Sequence, residues 1–114
     1  MTKATRVLPS TEEPRQFPSY YIHPEKRANL VAHLLAVERL PAHVLDLSKV
    51  AIRLFCDHRL KPGEVVALTL HHIPRRFVCE LPVRIALAEE FEGAFLLRAA
   101  FTRELTDKEM AGLL

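Results

Sequence analysis

At 114 residues, with 49% hydrophobic and 26% charged residues, the chain has the size and make-up of one globular domain with a modest core. Its formal net charge of +2 is too small for the concentrated basic face of a nonspecific nucleic-acid binder, although a small dianion needs only a few well-placed cations. Cys56 and Cys79 form neither a disulfide framework nor a metal knuckle, no apolar stretch reaches membrane-spanning length, and Met1 to Arg15 lacks a signal peptide's apolar run, so a cytoplasmic protein without membrane contact is expected.

Residues 1–19 carry Pro9, Pro14 and Pro18 among charges and hydroxyls, the composition of a flexible arm. The arm is assigned to 1–21 and a folded domain to 22–114. From Ala28 onward, short apolar runs alternate with turn chemistry. Asn29–Val37 and Pro41–Ser48 flank Glu38-Arg39-Leu40 and predict a hairpin, with Ala51–Cys56 as the next strand. Asp57 to Gly63 is a loop, and Lys61-Pro62-Gly63-Glu64 has proline and glycine placed for a tight turn. Val65–Leu70 is a compact β-rich run.

In the next segment Phe77, Cys79, Leu81, Val83, Ile85 and Leu87 alternate with Val78, Glu80, Pro82, Arg84 and Ala86, the period of a half-buried strand. Pro82 cannot donate to a ladder, so a bulge or an edge is expected there. After a loop at 89–93, Ala94–Phe101 places Phe95, Leu97, Ala99 and Phe101 on one face. Thr106 and Glu109 have capping-box spacing, and Leu105 with Met110 has that of a hydrophobic staple, so a helix over Asp107–Leu114 follows. Gly112 weakens that helix, and so short a helix must dock through Met110, Leu113 or Leu114. Six closely spaced strands and one terminal helix predict an all-β fold, a six-stranded antiparallel β-barrel with a short C-terminal helix.

The chemistry-bearing stretch is Asp46-Leu47-Ser48-Lys49-Val50-Ala51, about twenty residues after His23-Pro24-Glu25-Lys26-Arg27. On a strand, Asp46 and Ser48 at i and i+2 share a face. Over residues 22–114 the chain resembles the PilZ domain family, the bacterial receptors for cyclic di-GMP, with their R-x-x-x-R and [D/N]-x-S-x-x-G motifs. Asp46 and Ser48 match the second motif and Arg27 the last arginine of the first. His23 stands where that motif has its other arginine, and Ala51 where the second has glycine. The order of strands, the turn through Gly63, the Gly93-to-Phe95 strand and the final helix also follow the family.

The resemblance implies a ligand site of Arg27, Asp46, Ser48, Ala51, His23 and Lys26. Arginine grips phosphate bidentately and stacks on a base, aspartate accepts from a guanine edge, and a serine hydroxyl donates or accepts. Glycine permits unusual dihedrals, so Ala51 is tolerated only at negative φ. A histidine in place of arginine is expected to cost on the order of 1.5–3 kcal/mol, about ten- to more than a hundredfold in affinity, leaving binding weakened but retained. The expected function is a stand-alone cyclic di-GMP receptor that signals to a partner protein as its N-terminal arm orders. Its alternative is a ligand-independent adaptor whose nucleotide site has decayed and which binds a bacterial signalling, motility or pilus protein.

Other readings are weaker. Ser48 and Asp46 also suit a structural role at turn amides, and Arg53 suits either a site flank or a surface ion pair. His33 and His43 can face each other across the hairpin, but no Cys or carboxylate completes a four-ligand metal set, and the adjacent His71 and His72 point apart. Ser48 has no recognisable base and no Gly-rich phosphate loop is present, so no enzymatic activity and no cofactor are expected. No strand face interleaves aromatics with cations as a single-strand-binding barrel does.

Overall fold

The computed structural model describes residues 17–114. Seven strands and one helix follow in order: β1 Tyr20–Tyr21, β2 Leu30–Leu35, β3 Arg39–Leu47, β4 Ala51–Cys56, β5 Val65–His72, β6 Phe77–Phe91, β7 Ala94–Phe101 and α1 Asp107–Leu113, with a 3-10 segment, Pro24–Asn29, between β1 and β2. The sheet is antiparallel in the order β1-β3-β2-β5-β6-β7-β4, and β4 pairs back onto β3. Six strands thus close into the expected barrel. The two-residue β1 extends the β3 edge beyond the end of β2, with Tyr20 opposite Leu47 and Tyr21 opposite Asp46. Most of the expected arm lies outside the described residues; its last two residues are this strand. Among the described residues no helix is long and apolar enough to cross a membrane.

The core is the inward register of each strand. Leu34, Leu47, Leu54, Leu68, Leu70, Val83, Ile85 and Leu97 are all fully buried. Two bulges set the phase. In β3 the register shifts between Val44 and Asp46. Without that extra residue the alternation of Leu40, Ala42 and Val44 would carry Asp46 inward; with it, Asp46 turns out and Leu47 turns in. In β6 the shift lies between Ile85 and Leu87. Leu87 is therefore exposed, against the simple period-two reading, and Ala88 packs against the core in its place.

Pro82 itself carries no register shift. It pairs with Ala67 of β5, and its carbonyl accepts from Thr102 N–H at 3.3 Å, beyond the last β6–β7 pair, Val83 with Phe101. Its missing N–H thus faces the side where the ladder has already stopped, the local equivalent of an edge. The β6–β7 connection is also tighter than the predicted loop. Glu92 and Gly93 both have positive φ, 52° and 85°, and Phe91 pairs with Ala94, a two-residue hairpin of the kind usually marked by Asn-Gly. In the Lys61–Glu64 turn, Gly63 has φ 92° and Glu64 N–H donates to Lys61 O at 3.0 Å, as its Pro-Gly sequence predicts.

The C-terminal helix is held as its sequence predicts. Thr106 Oγ1 accepts from Glu109 N–H at 3.0 Å, Glu109 Oε1 accepts from Thr106 N–H at 2.9 Å, and Leu105, Met110 and Leu113 are buried. Arg103 grips Glu109 with two bonds of 2.8 and 2.7 Å. That pairing and the Thr106 N–H lower the Glu109 carboxyl to about 2. Gly112, a liability for helix propensity, has a packing reason: a Cβ there would meet the Phe77 ring at 2.6–2.7 Å. Gly112→Ala is expected to destabilise by about 1–3 kcal/mol through overpacking, despite gaining roughly 1 kcal/mol of helix propensity. A urea melt that shows Gly112→Ala more stable than the parent would contradict this packing account.

Candidate functional site

The bulge at Leu45 builds the outer surface. Because it turns Asp46 outward, four directly paired residues form one row across the barrel: Tyr21 of β1, Asp46 of β3, Arg53 of β4 and Arg98 of β7. Directly paired residues share a face, and inward neighbours on either side, Leu47, Ile52, Leu54, Leu97 and Ala99, are buried. At the usual strand spacing the row spans roughly 14 Å. Asp46 Oδ2 accepts from Arg53 Nε at 2.8 Å and also from Arg53 Nη2. The Asp46 hydrogen bond first, and the carboxylate charge with it, raise the Arg53 guanidinium above its ordinary value against the desolvation that lowers it.

Arg27 joins the row from the 3-10 segment. Its Nη2 donates to Tyr21 Oη at 2.9 Å, its Nε donates to Ile22 O at 3.1 Å, and its guanidinium lies 5.5 Å from the centre of the Tyr21 ring. Three guanidiniums and one carboxylate leave the row with two net positive charges. Beside it, Ala51 pairs with Ala100, so two methyl groups flank the arginines where larger side chains would stand over them. Ala51 is not among the residues with positive φ, which are Arg76 and Glu92 among the non-glycines described. Alanine at this position is therefore unstrained, and glycine is not required.

Arg27, Asp46 and Ala51 are thus brought to one surface. The other expected site residues are not. β3 ends at Leu47, so Ser48 does not stand beside Asp46 on a strand. It is 7% exposed, and its Oγ accepts from Val50 N–H at 3.2 Å and Ala51 N–H at 3.1 Å, while its N–H donates to Ala51 O at 2.9 Å. Its hydroxyl closes the β3–β4 turn. His23 packs edge-on against Tyr21 with ring centres 5.5 Å apart, and His23 and Lys26 line a groove, bordered by Tyr21, in which Asp46, Arg53 and Arg98 take no part.

Sequence reasoning named Arg53 only as a flank and missed Tyr21 and Arg98. Their place depends on which strands are neighbours, and β4 beside β7 is a contact between residues some forty-five apart in the chain. The histidines do not converge: His33 pairs with Pro41 and His43 with Val31, and no group of three or more His, Cys, Asp or Glu among the described residues is placed to hold a metal. Cys56 and Cys79 are free and buried. Burial, and then the Glu109 carboxylate 3.5 Å away, push the Cys79 thiol up to about 11, which keeps it protonated and a poor nucleophile.

No family model matches the chain, and no curated protein matches it.

Proposed function

We propose that the chain is a receptor for cyclic di-GMP, which lies across the row Tyr21–Asp46–Arg53–Arg98. That row carries the reading. Arginines grip phosphates bidentately and stack on bases, a carboxylate accepts from the edge amines of guanine, and the two net positive charges match the two phosphates of the ligand. Arg27, Asp46, Arg53 and Arg98 are the gripping residues, Tyr21 offers an aromatic face, and Ala51 with Ala100 leaves room for close approach. Ligand binding would reach a partner protein through the segment that carries Arg27 and leads back into the N-terminal residues.

Calorimetric titration with cyclic di-GMP tests this. Binding in the micromolar range is expected, with Arg27→Ala and Asp46→Ala each weakening it about tenfold or more, as for the loss of one charge-assisted contact. No heat at high micromolar ligand, or affinity unchanged in both variants, would overturn it.

One observation favours the adaptor instead. The Asp46 carboxylate is already engaged by Arg53, and Ser48 is closed into its turn, so a ligand must displace or share an existing pair. In that case the barrel surface binds a signalling or motility protein without a nucleotide, and capture of that partner is the same with and without cyclic di-GMP.

A further inference from the structure

The β6–β7 hairpin runs on past the end of β5. β5 pairs with β6 only as far as Arg84, opposite Val65, whereas β7 pairs with β6 up to Phe91. Ile85 still bonds to the turn before β5: its N–H donates to Glu64 O at 2.8 Å, and its carbonyl accepts from Gly63 N–H at 2.6 Å. Beyond it, residues 86–91 have β7 on one side and no strand on the other. Phe91 and Ala94 close the two-residue turn as a hydrogen-bonded pair, so Glu89 and Leu87 also bond toward β7. The N–H and C=O groups of Ala88 and Glu90 therefore point out of the open edge, and among the described residues no loop or turn bonds to them. Such a row of unpaired groups is a template for a further strand.

The side chains beside this edge state what that strand must carry. On the outer face Leu87 and Phe91 are 41% and 56% exposed, and the Phe91 ring stands 6.2 Å from that of half-buried Phe55. Glu89 stands between Leu87 and Phe91 on that face, Glu90 points to the other face, and Glu92 is in the turn, all three exposed. None of these acids forms an ion pair among the described residues. Arg59 lies 5.4 Å over the ring of Phe95, the residue opposite Glu90, without pairing with that carboxylate. Leu87 itself pairs with Arg98, so an apolar residue and not a cation fits across from it. A second copy is a poor occupant, because two such edges side by side bring Glu89 and Glu90 of both chains into one short ladder.

We propose that residues 86–91 take up an extended segment of a partner protein as an added antiparallel strand, one with adjacent cationic residues flanked by apolar ones. The consecutive cations meet Glu89 on one face and Glu90 on the other, and the apolar side chains cover Leu87 and Phe91. This edge adjoins the arginine row only where Leu87 meets Arg98, and it does not depend on cyclic di-GMP binding.

The test is fluorescence anisotropy of the full chain with a labelled peptide, Gly-Val-Lys-Arg-Val-Ile-Thr. Its Val-Lys-Arg-Val-Ile run lies opposite Phe91, Glu90, Glu89, Ala88 and Leu87 in that order. Saturable micromolar binding is expected, and the peptide with glutamates in place of its lysine and arginine should bind at least about tenfold more weakly. N-methylation of the lysine and of the second valine, whose amides face the edge, should abolish binding. N-methylation of the arginine and isoleucine, whose amides face away, should leave most of it. On the protein, Glu89→Lys combined with Glu90→Lys should weaken the peptide at least about tenfold. Glu90→Pro, which removes a donor that the β6–β7 ladder does not use, should weaken it more than Glu90→Gln does, and thermal melts check that each barrel is intact. The proposal is overturned if the charge-reversed peptide binds as well, if both N-methylated forms bind alike, or if no saturable binding occurs up to millimolar protein. Loss of binding in Arg27→Ala with the edge variants unaffected would move the contact to the arginine row and equally overturn it. So would dimerisation of the chain through this edge in competition with the peptide.

Discussion

Ser48→Ala is expected to lower stability by about 2–3 kcal/mol while leaving the affinity for cyclic di-GMP unchanged. The hydroxyl accepts from two turn amides, Val50 and Ala51. Removing the acceptor strands both donors, one on half-buried Ala51 and one on exposed Val50, and each orphaned group costs about 1–3 kcal/mol, less where water reaches it. The turn also anchors the next part of the chain: Val50 O accepts from Phe101 N–H and Lys49 O from Leu105 N–H, both at 2.9 Å. Loosening it therefore loosens the end of β7 and the entry to α1 together. For a domain of this size the loss corresponds to a fall in Tm of about 10 °C or more. Ser48→Thr, which keeps the acceptor, should recover much of it. Loss of ligand binding at full stability would return Ser48 to the ligand site and break the structural account.

The barrel was legible because its signals are local. Alternation in Phe77–Ile85 and Ala94–Phe101, proline and glycine in the Lys61–Glu64 turn, and the Thr106–Glu109 spacing each act within a few residues, and the structure carries all of them. What escaped the sequence depended on a single inserted residue or on distant pairing. The Leu45 and Ala86 bulges change the phase of a strand without any turn residue to mark them, and the Glu92-Gly93 turn lacks the usual asparagine or aspartate. Of the residues the motif named, Asp46 stands on the outer face of β3, and Arg27 bonds to Tyr21, the residue paired with Asp46. The motif misassigned the geometry of Ser48, because a D-x-S spacing means a shared face only while the strand continues, and β3 ends between the two residues. Arg98 carried no local mark. Its meaning comes from standing opposite Arg53 across a closure that only the folded barrel makes.

That opposition yields the sharpest test of the row. Like charges directly across a strand pair destabilise, and opposite charges contribute roughly 0.2–1 kcal/mol. Arg98 faces Arg53, with Asp46 compensating from the far side only. Arg98→Glu gives Arg53 a carboxylate on each side, so folding stability is expected to rise by up to about 1 kcal/mol. Cyclic di-GMP affinity moves the other way. The variant loses a charge-assisted phosphate contact of about 1.5–3 kcal/mol and presents a repelling carboxylate, so Kd should rise at least tenfold and up to several hundredfold. Arg98→Gln, which removes the repulsion without adding a negative charge, should fall between parent and Arg98→Glu on both axes. Chemical melts and calorimetry on the three proteins measure the two quantities separately. A structural role predicts that stability and binding change together or that binding does not change. Opposite movement is the signature of a cation kept against the interest of the fold, and unchanged affinity in Arg98→Glu would remove Arg98 from the site.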